Sequence, residues 1–323
     1  MSLKIAVIDI GTYSTRLLIS GIHIKETLEE TIKSIEDILS VGRITALGRE
    51  VKKTKILQKE AIQETISVLK EYVLIAKEHK VDKILGYATQ ACRIAKNGNE
   101  FLEKVRQLGI DVKLIDGQTE ACLSFLATAY GVLPDNSFVV VDQGGGSTEY
   151  AYGKKEKDNY QLIDSVSFPF GIVNLTEQFI KHDPPLKSEL ADMRSYLKSY
   201  IKDAYEKMKN TDEIIGLGGT ITTLVALEYN IYPYSSEKVH RKILTKKAIE
   251  KWLEKLSSLT ISQRKAIPMI EDKRAEAIIS GIVIFDTTLE IFQKDKLKVS
   301  DWGLRHGAII KEVMNIFNRG DVC

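Results

Sequence analysis

Apolar and polar positions along this chain follow two rhythms, and the changes between them sort most of it into elements. Lys4–Ile10 and Arg16–Ile22 are near-continuous apolar runs and read as buried strands joined by a short turn. Residues 23–45 mix both periods, and Thr31–Leu39 is assigned as strand. Glu60–Ala76 then sets Ala61, Ile62, Thr65, Ile66, Leu69, Val73 and Ala76 at helical spacing. Lys83–Tyr87 and Asp111–Ile115 read as strands, Glu100–Gln107 and Glu120–Tyr130 as helices. The pattern restarts with strands at Phe138–Asp142, Glu149–Tyr152 and Tyr160–Ser167. Helices at Leu175–Ile180 and Ser188–Lys207 lead to a strand at Ile214–Gly218 and a helix ending near Tyr229. Helices at Thr245–Leu256 and Glu271–Phe292 precede a last strand, Lys298–Ser300. Strands alternating with helices in both halves predict an α/β protein with two mixed sheets flanked by helices.

One kind of turn appears in both halves. Ile5-Ala6-Val7-Ile8 runs into Asp9-Ile10-Gly11-Thr12-Tyr13-Ser14-Thr15, and Phe138-Val139-Val140-Val141 runs into Asp142-Gln143-Gly144-Gly145-Gly146-Ser147-Thr148. A Gly/Ser/Thr turn after a buried strand aims backbone N–H groups and hydroxyls at one anion. A third glycine loop is Gly216-Leu217-Gly218-Gly219-Thr220. Neither of the first two turns is followed by Gly-Lys-Ser/Thr, which argues against a P-loop, and neither matches the dinucleotide fingerprint in a strand–helix context. Carboxylates beside such turns point to phosphate chains and a divalent cation.

Composition narrows the field. The 323 residues are 44% hydrophobic and 28% charged, an ordinary globular balance that suits two domains. A net charge of +2 gives no reason to expect DNA or RNA as a partner. No apolar stretch is long enough to cross a bilayer and no signal-peptide layout opens the chain, so a cytoplasmic protein without a membrane partner is expected. Cys92, Cys122 and Cys323 form no disulfide framework and match no metal-ligand spacing. The basic stretch Lys238–Lys255 turns Ala248, Ile249, Trp252, Leu253 and Leu256 inward and reads as a solvated helix face.

The order Asp-x-Gly-Thr, Asp-x-Gly-Gly-Gly-Ser, Gly-x-Gly-Gly-Thr resembles the actin/sugar-kinase/heat-shock-protein ATPase superfamily. Three further segments resemble one family within it, the exopolyphosphatase/guanosine pentaphosphate phosphohydrolases (Ppx/GppA). They are Tyr87–Gly98, Ile115–Ala121 and Ser300–Gly307, and the likeness runs from about residue 4 to about residue 310. The resemblance implies two actin-like (ribonuclease H-like) domains, 1–126 and 127–323, with the last helix packing back on the first domain and the site in the cleft between them. Ending at Cys323, the chain looks like the short two-domain form. Gln118 and Thr119 stand where the family often has acids, Tyr13 where it often has Asn, and His306 where it usually has Glu.

What the resemblance implies for the site is specific. Glu120 would be the general base for an attacking water, although on residue type alone it reads as a solvated acid at a helix N-terminus. Arg93 would clamp phosphate oxygens, a role suited to a planar guanidinium. Gly11, Thr12, Ser14, Thr15, Gly144, Gly145, Gly146, Ser147, Gly218, Gly219 and Thr220 would bind phosphate. Asp142 and Glu149, with Asp9, would hold Mg²⁺ or another divalent cation, a K⁺ requirement being left open. Turn capping for Asp142 and Asp9, and an exposed strand position for Glu149, are the structural alternatives. The substrate would be polyphosphate, guanosine pentaphosphate or both, and the resemblance suggests a homodimer, with the oligomeric state left open. An ATP-dependent kinase or ATPase, or a sensor of the same ligands without turnover, are the rival readings.

Overall fold

The computed structural model describes residues 2–157 and 159–318, so Cys323 lies outside the described residues. The chain divides into two compact units. Residues up to Tyr130 join the chain from Leu304 onward in one, and Gly131–Gly303 form the other. The division falls within the helix Gly117–Val132, a few residues beyond the expected boundary, and the chain from Leu304 groups with the first unit.

The first unit holds a five-stranded sheet of β1 (Ser2–Ile10), β2 (Ser14–His23), β3 (Glu36–Ile44), β4 (Lys83–Ala88) and β5 (Asp111–Leu114), in the order β3-β2-β1-β4-β5. β2 runs antiparallel to both β1 and β3, while β1, β4 and β5 are parallel. Ile8, Ile10, Leu17 and Ile19 meet Leu69, Tyr72 and Val73 of the helix Lys59–Glu78 in its core. Burial on both sheet faces explains why β1 reads as an unbroken apolar run.

The second unit repeats this order with one strand added. Its strands are β6 (Ser137–Gln143), β7 (Thr148–Glu156), β8 (Asn159–Phe168), β9 (Glu213–Leu217), β10 (Ile243–Thr245) and β11 (Lys296–Val299). Their order is β10-β11-β9-β6-β7-β8, with β6, β9 and β11 parallel. The helix Arg274–Ile291 is buried along almost its whole length, as an all-round apolar helix must be. It packs in the core with Leu197, Ile201 and Ile221.

Two expectations need correction. Thr31–Leu39 is not one strand: a helix covers Leu28–Lys33, and β3 starts at Glu36. Thr27 caps that helix, its hydroxyl accepting the Glu30 N–H at 3.2 Å, so the capping chemistry outweighed the mixed period. The helix expected at Thr245–Leu256 starts one residue later, because Thr245 ends β10, three residues long, and caps the helix. Among the described residues, no helix is long and apolar enough to cross a membrane.

Candidate functional site

Parallel strands place their C-terminal ends on one sheet edge, where connections can gather functional groups. In the first unit β1, β4 and β5 deliver three segments to such an edge. β1 ends in Asp9 and Ile10 and turns through Gly11–Ser14 into β2, with the Gly11 N–H donating to the Ser14 carbonyl at 3.0 Å. A Cβ on Gly11 would stand 2.9 Å from that same oxygen. The turn is braced from behind, since Ala46 N–H donates to Tyr13 O and Gly48 N–H to Thr12 O, both at 2.8 Å. Asp9 faces Arg16 across the β1–β2 ladder, and Arg16 Nε donates to the Ser14 hydroxyl at 3.2 Å.

β4 leads into the helix Gln90–Ile94, and Arg93 in its last turn donates from Nη1 to the Ile115 carbonyl. That carbonyl precedes the helix Gly117–Val132, whose first turn carries Glu120, 9% exposed. Asp116 caps this helix: its Oδ1 accepts the Thr119 N–H at 2.8 Å and its carbonyl accepts the Glu120 N–H at 3.0 Å. Hydrogen bonds from the Thr119 backbone and side chain hold the Asp116 carboxyl below the ordinary carboxylate range, and the Arg93 charge adds to this. Arg93 and Glu120, expected to act together, are thus brought to one helix entry. Cys92 beside them is a buried thiol pushed up to about 12 by burial, so it carries no nucleophilic thiolate at neutral pH.

The second unit builds the same turn again. The Gly144 N–H donates to the Ser147 carbonyl at 3.0 Å, and a Cβ on Gly144 would stand 3.0 Å from it. The carbonyls of this turn are taken from behind by Ile172 N–H on Gly144 O (3.2 Å), Val173 N–H on Gly145 O (2.8 Å) and Asn174 Nδ2 on Gly146 O (2.6 Å). Gly171 must be glycine for this approach, because its Cβ would lie 2.5 Å from the Gly145 carbonyl.

The register separates the two hairpins chemically. Asp9 is paired with Arg16, whereas the equivalent Asp142 is paired with Glu149. Antiparallel partners share a sheet face, so the second hairpin sets two carboxylates side by side where the first sets a carboxylate beside an arginine. Glu149 is 1% exposed, and its Oε1 accepts the Ser167 hydroxyl at 2.7 Å. Among the described residues no group of three or more His, Cys, Asp or Glu could hold a metal ion. Mg²⁺ needs less than that, one or two carboxylates with waters and substrate phosphates completing the shell. The oxygen donors of Asp142 and Glu149 fit it, while Asp9 belongs to the first unit.

The third loop follows β9. Gly218 sits at φ +112°, a left-handed conformation, and caps the helix Gly219–Glu228. A Cβ on Gly219 would stand 1.7 Å from Nη1 of Arg274, so this guanidinium lies directly on the loop. Arg274 is 9% exposed and donates from Nη2 to Glu271 at 2.8 Å. It is the charged group missed in the sequence, where it falls at the start of an apolar helix with no motif around it. Asn174, which ties down the second turn, was missed for the same reason.

Two of the residues expected to bind phosphate have their hydroxyls turned inward. The Thr15 side chain is fully buried and its Oγ1 lies 3.0 Å from Thr45 Oγ1, so it braces the first turn. Thr220 is 1% exposed, and its hydroxyl oxygen packs towards Gly281. Thr12 and Ser147 are also nearly buried, at 4% and 3%.

Comparison with known proteins bears on this arrangement. The Ppx/GppA phosphatase family matches residues 24–316. Exopolyphosphatase 2 of Mycobacterium tuberculosis is 30% identical, over 94% of this chain and 97% of that protein. A bifunctional 3-dehydroquinate synthase/phosphatase of Fusobacterium nucleatum is 33% identical over 96% of this chain, which spans only 46% of that longer protein. The crystal structure of the Aquifex aeolicus Ppx/GppA family member is 46% identical, covers 98% of this chain and 99% of its own, and superposes with a TM-score of 0.82.

Proposed function

Because this chain belongs to the Ppx/GppA phosphatase family, we propose that it releases the terminal phosphate of inorganic polyphosphate by Mg²⁺-dependent hydrolysis. The observation that carries this reading is the twice-built turn with its Asp142–Glu149 pair in the second copy. The relative named Exopolyphosphatase 2, aligned over nearly its full length, supports polyphosphate as the substrate.

Each residue then has a task. The two turns and the N-terminus of the helix Gly219–Glu228 offer N–H groups to phosphate oxygens, helped by the helix dipole. Arg93 and Arg274 each supply a fixed positive charge for phosphate oxygens of the substrate. Glu120 accepts a proton from water as the water oxygen bonds to the terminal phosphorus. The bond from that phosphorus to the bridging oxygen breaks, and the shortened chain leaves with the electron pair. Mg²⁺, held by Asp142 and Glu149, would neutralise charge on the phosphates. Gln118 and Thr119 leave Glu120 without acidic neighbours in the sequence, and their N–H groups point at the Asp116 carboxyl.

The family joins exopolyphosphatases with guanosine pentaphosphate phosphohydrolases, and guanosine pentaphosphate is the second substrate of this reading. The test is phosphate release from long-chain polyphosphate and from guanosine pentaphosphate, with ATP as control, with Mg²⁺ and after chelation, for the wild type and Glu120→Gln. Release from the first two that disappears with EDTA and in Glu120→Gln is the expected outcome. Release from ATP alone would favour the kinase or ATPase reading, and binding without release would favour a sensor.

A further inference from the structure

The second and third glycine loops meet at a buried carboxamide that the proposed reaction does not use. Gln143, the last residue of β6, is 4% exposed. Its Nε2 donates to the Gly144 carbonyl at 3.0 Å, which orients the amide. Its Oε1 lies 2.8 Å from the place where a Cβ on Gly281 would stand, and the Thr220 hydroxyl oxygen lies 2.2 Å from that same place. Neither oxygen has a hydrogen-bond partner among the described residues. The Gln143 main chain also presses on the third loop, since a Cβ on Gly218 would stand 2.5 Å from the Gln143 carbonyl oxygen. Two buried oxygens gathered over one glycine, between two loops, are a costly arrangement for packing alone, because an apolar side chain of similar size would avoid the desolvation.

We propose that Gln143 is a positioning residue that ties the Gly144–Ser147 turn to the Gly218–Thr220 loop. The link forms when the Thr220 hydroxyl turns to donate to Oε1 across the gap that Gly281 leaves. The link keeps the N–H groups of both loops in one register along a phosphate chain. It acts on alignment and touches no reacting atom, and it rests on the phosphohydrolase reading above.

The test uses the full chain as wild type, Gln143→Met, Thr220→Val and the double variant, each close to the original in volume. Three quantities are read: initial rates of phosphate release across polyphosphate concentrations, tripolyphosphate affinity by calorimetry, and melting temperature. Misalignment predicts a kcat lower by on the order of tenfold to a hundredfold in Gln143→Met. Affinity should weaken less than kcat, and melting temperature should hold, because methionine restores the packing. The double variant should be no worse than Gln143→Met, since removing either partner breaks the same link. Full kcat in Gln143→Met, or single losses that multiply in the double variant, overturns the proposal. A wild type that releases no phosphate from polyphosphate overturns the phosphohydrolase reading instead. The link is then judged by tripolyphosphate binding in the same variants, and equal affinity across them overturns it as well.

Discussion

In the proposed reaction Glu120 is the proton acceptor and Arg274 a fixed charge, and each can be removed separately. Replacing Glu120 by Gln keeps the volume and hydrogen-bonding capacity but removes the base. Phosphate release should fall on the order of a hundredfold to ten-thousandfold with no change in melting temperature. Arg274 acts through its guanidinium over Gly219, so Arg274→Ala should raise KM by the loss of a charge-assisted contact of about 1.5–3 kcal/mol. Gly219→Ala offers an independent check. Its Cβ would collide at 1.7 Å with Arg274 Nη1, the far end of a flexible side chain, so the guanidinium moves and the backbone stays. Gly219→Ala should therefore raise KM in the same direction while leaving stability nearly intact, as steady-state kinetics beside thermal melts will show.

At the scale of elements, the two hairpins depend on the segments behind them. Gly171 and Gly48 stand where no side chain fits, the first against the Gly145–Gly146 backbone and the second against Thr12. A Cβ at residue 171 meets main-chain atoms at 2.5–2.6 Å and cannot be relieved by a rotamer change. Gly171→Ala should cost about 1–3 kcal/mol of stability and lower activity by displacing the second turn, measured by denaturant unfolding and phosphate release. The hairpins themselves were legible, because an apolar run followed by a Gly/Ser/Thr turn is a local signal. Their braces were not, because Gly48 and Gly171 become necessary only when strands β3 and β8 bring distant segments behind the turns. The misassigned Thr31–Leu39 is a similar case. Over so few residues the apolar period is ambiguous, and the Thr27 cap decided it.

At the scale of the molecule, the strand orders β3-β2-β1-β4-β5 and β8-β7-β6-β9-β11 are one topology written twice. The chain from Leu304 onward groups with the first unit, and one buried contact marks that return. His306, 3% exposed, has Nε2 3.0 Å from Asp37 Oδ2 on β3, and Arg305 donates to the Leu17 carbonyl at 2.8 Å. Burial pushes the Asp37 carboxyl up, but His306, Ser20 and Arg305 outweigh it and set it below the ordinary 3.8. A carboxyl lowered by folding stabilises above its unfolded value and loses that contribution as pH falls through the folded one. Asp37→Asn should therefore lower the melting temperature at neutral pH by a few degrees, about 1–2 kcal/mol. The gap from wild type should close as pH falls below 3.8. A gap that stays constant down to acid pH would show that His306 gains nothing from the Asp37 charge.

The sequence by itself determined the α/β alternation, the three glycine loops and the family, because each is written in neighbouring residues. It also placed Arg93 and Glu120 in segments that the structure joins at one helix entry. Only the tertiary structure decided that Asp9 faces an arginine while Asp142 faces a glutamate, since that depends on hairpin register. The same holds for the hydroxyls of Thr15 and Thr220, which turn inward to buried partners and packing. Arg274 reaches the third loop only because the buried helix Arg274–Ile291 carries its first residue there. Side-chain direction and long-range approach arise from packing between segments far apart in the chain, and no local pattern encodes them.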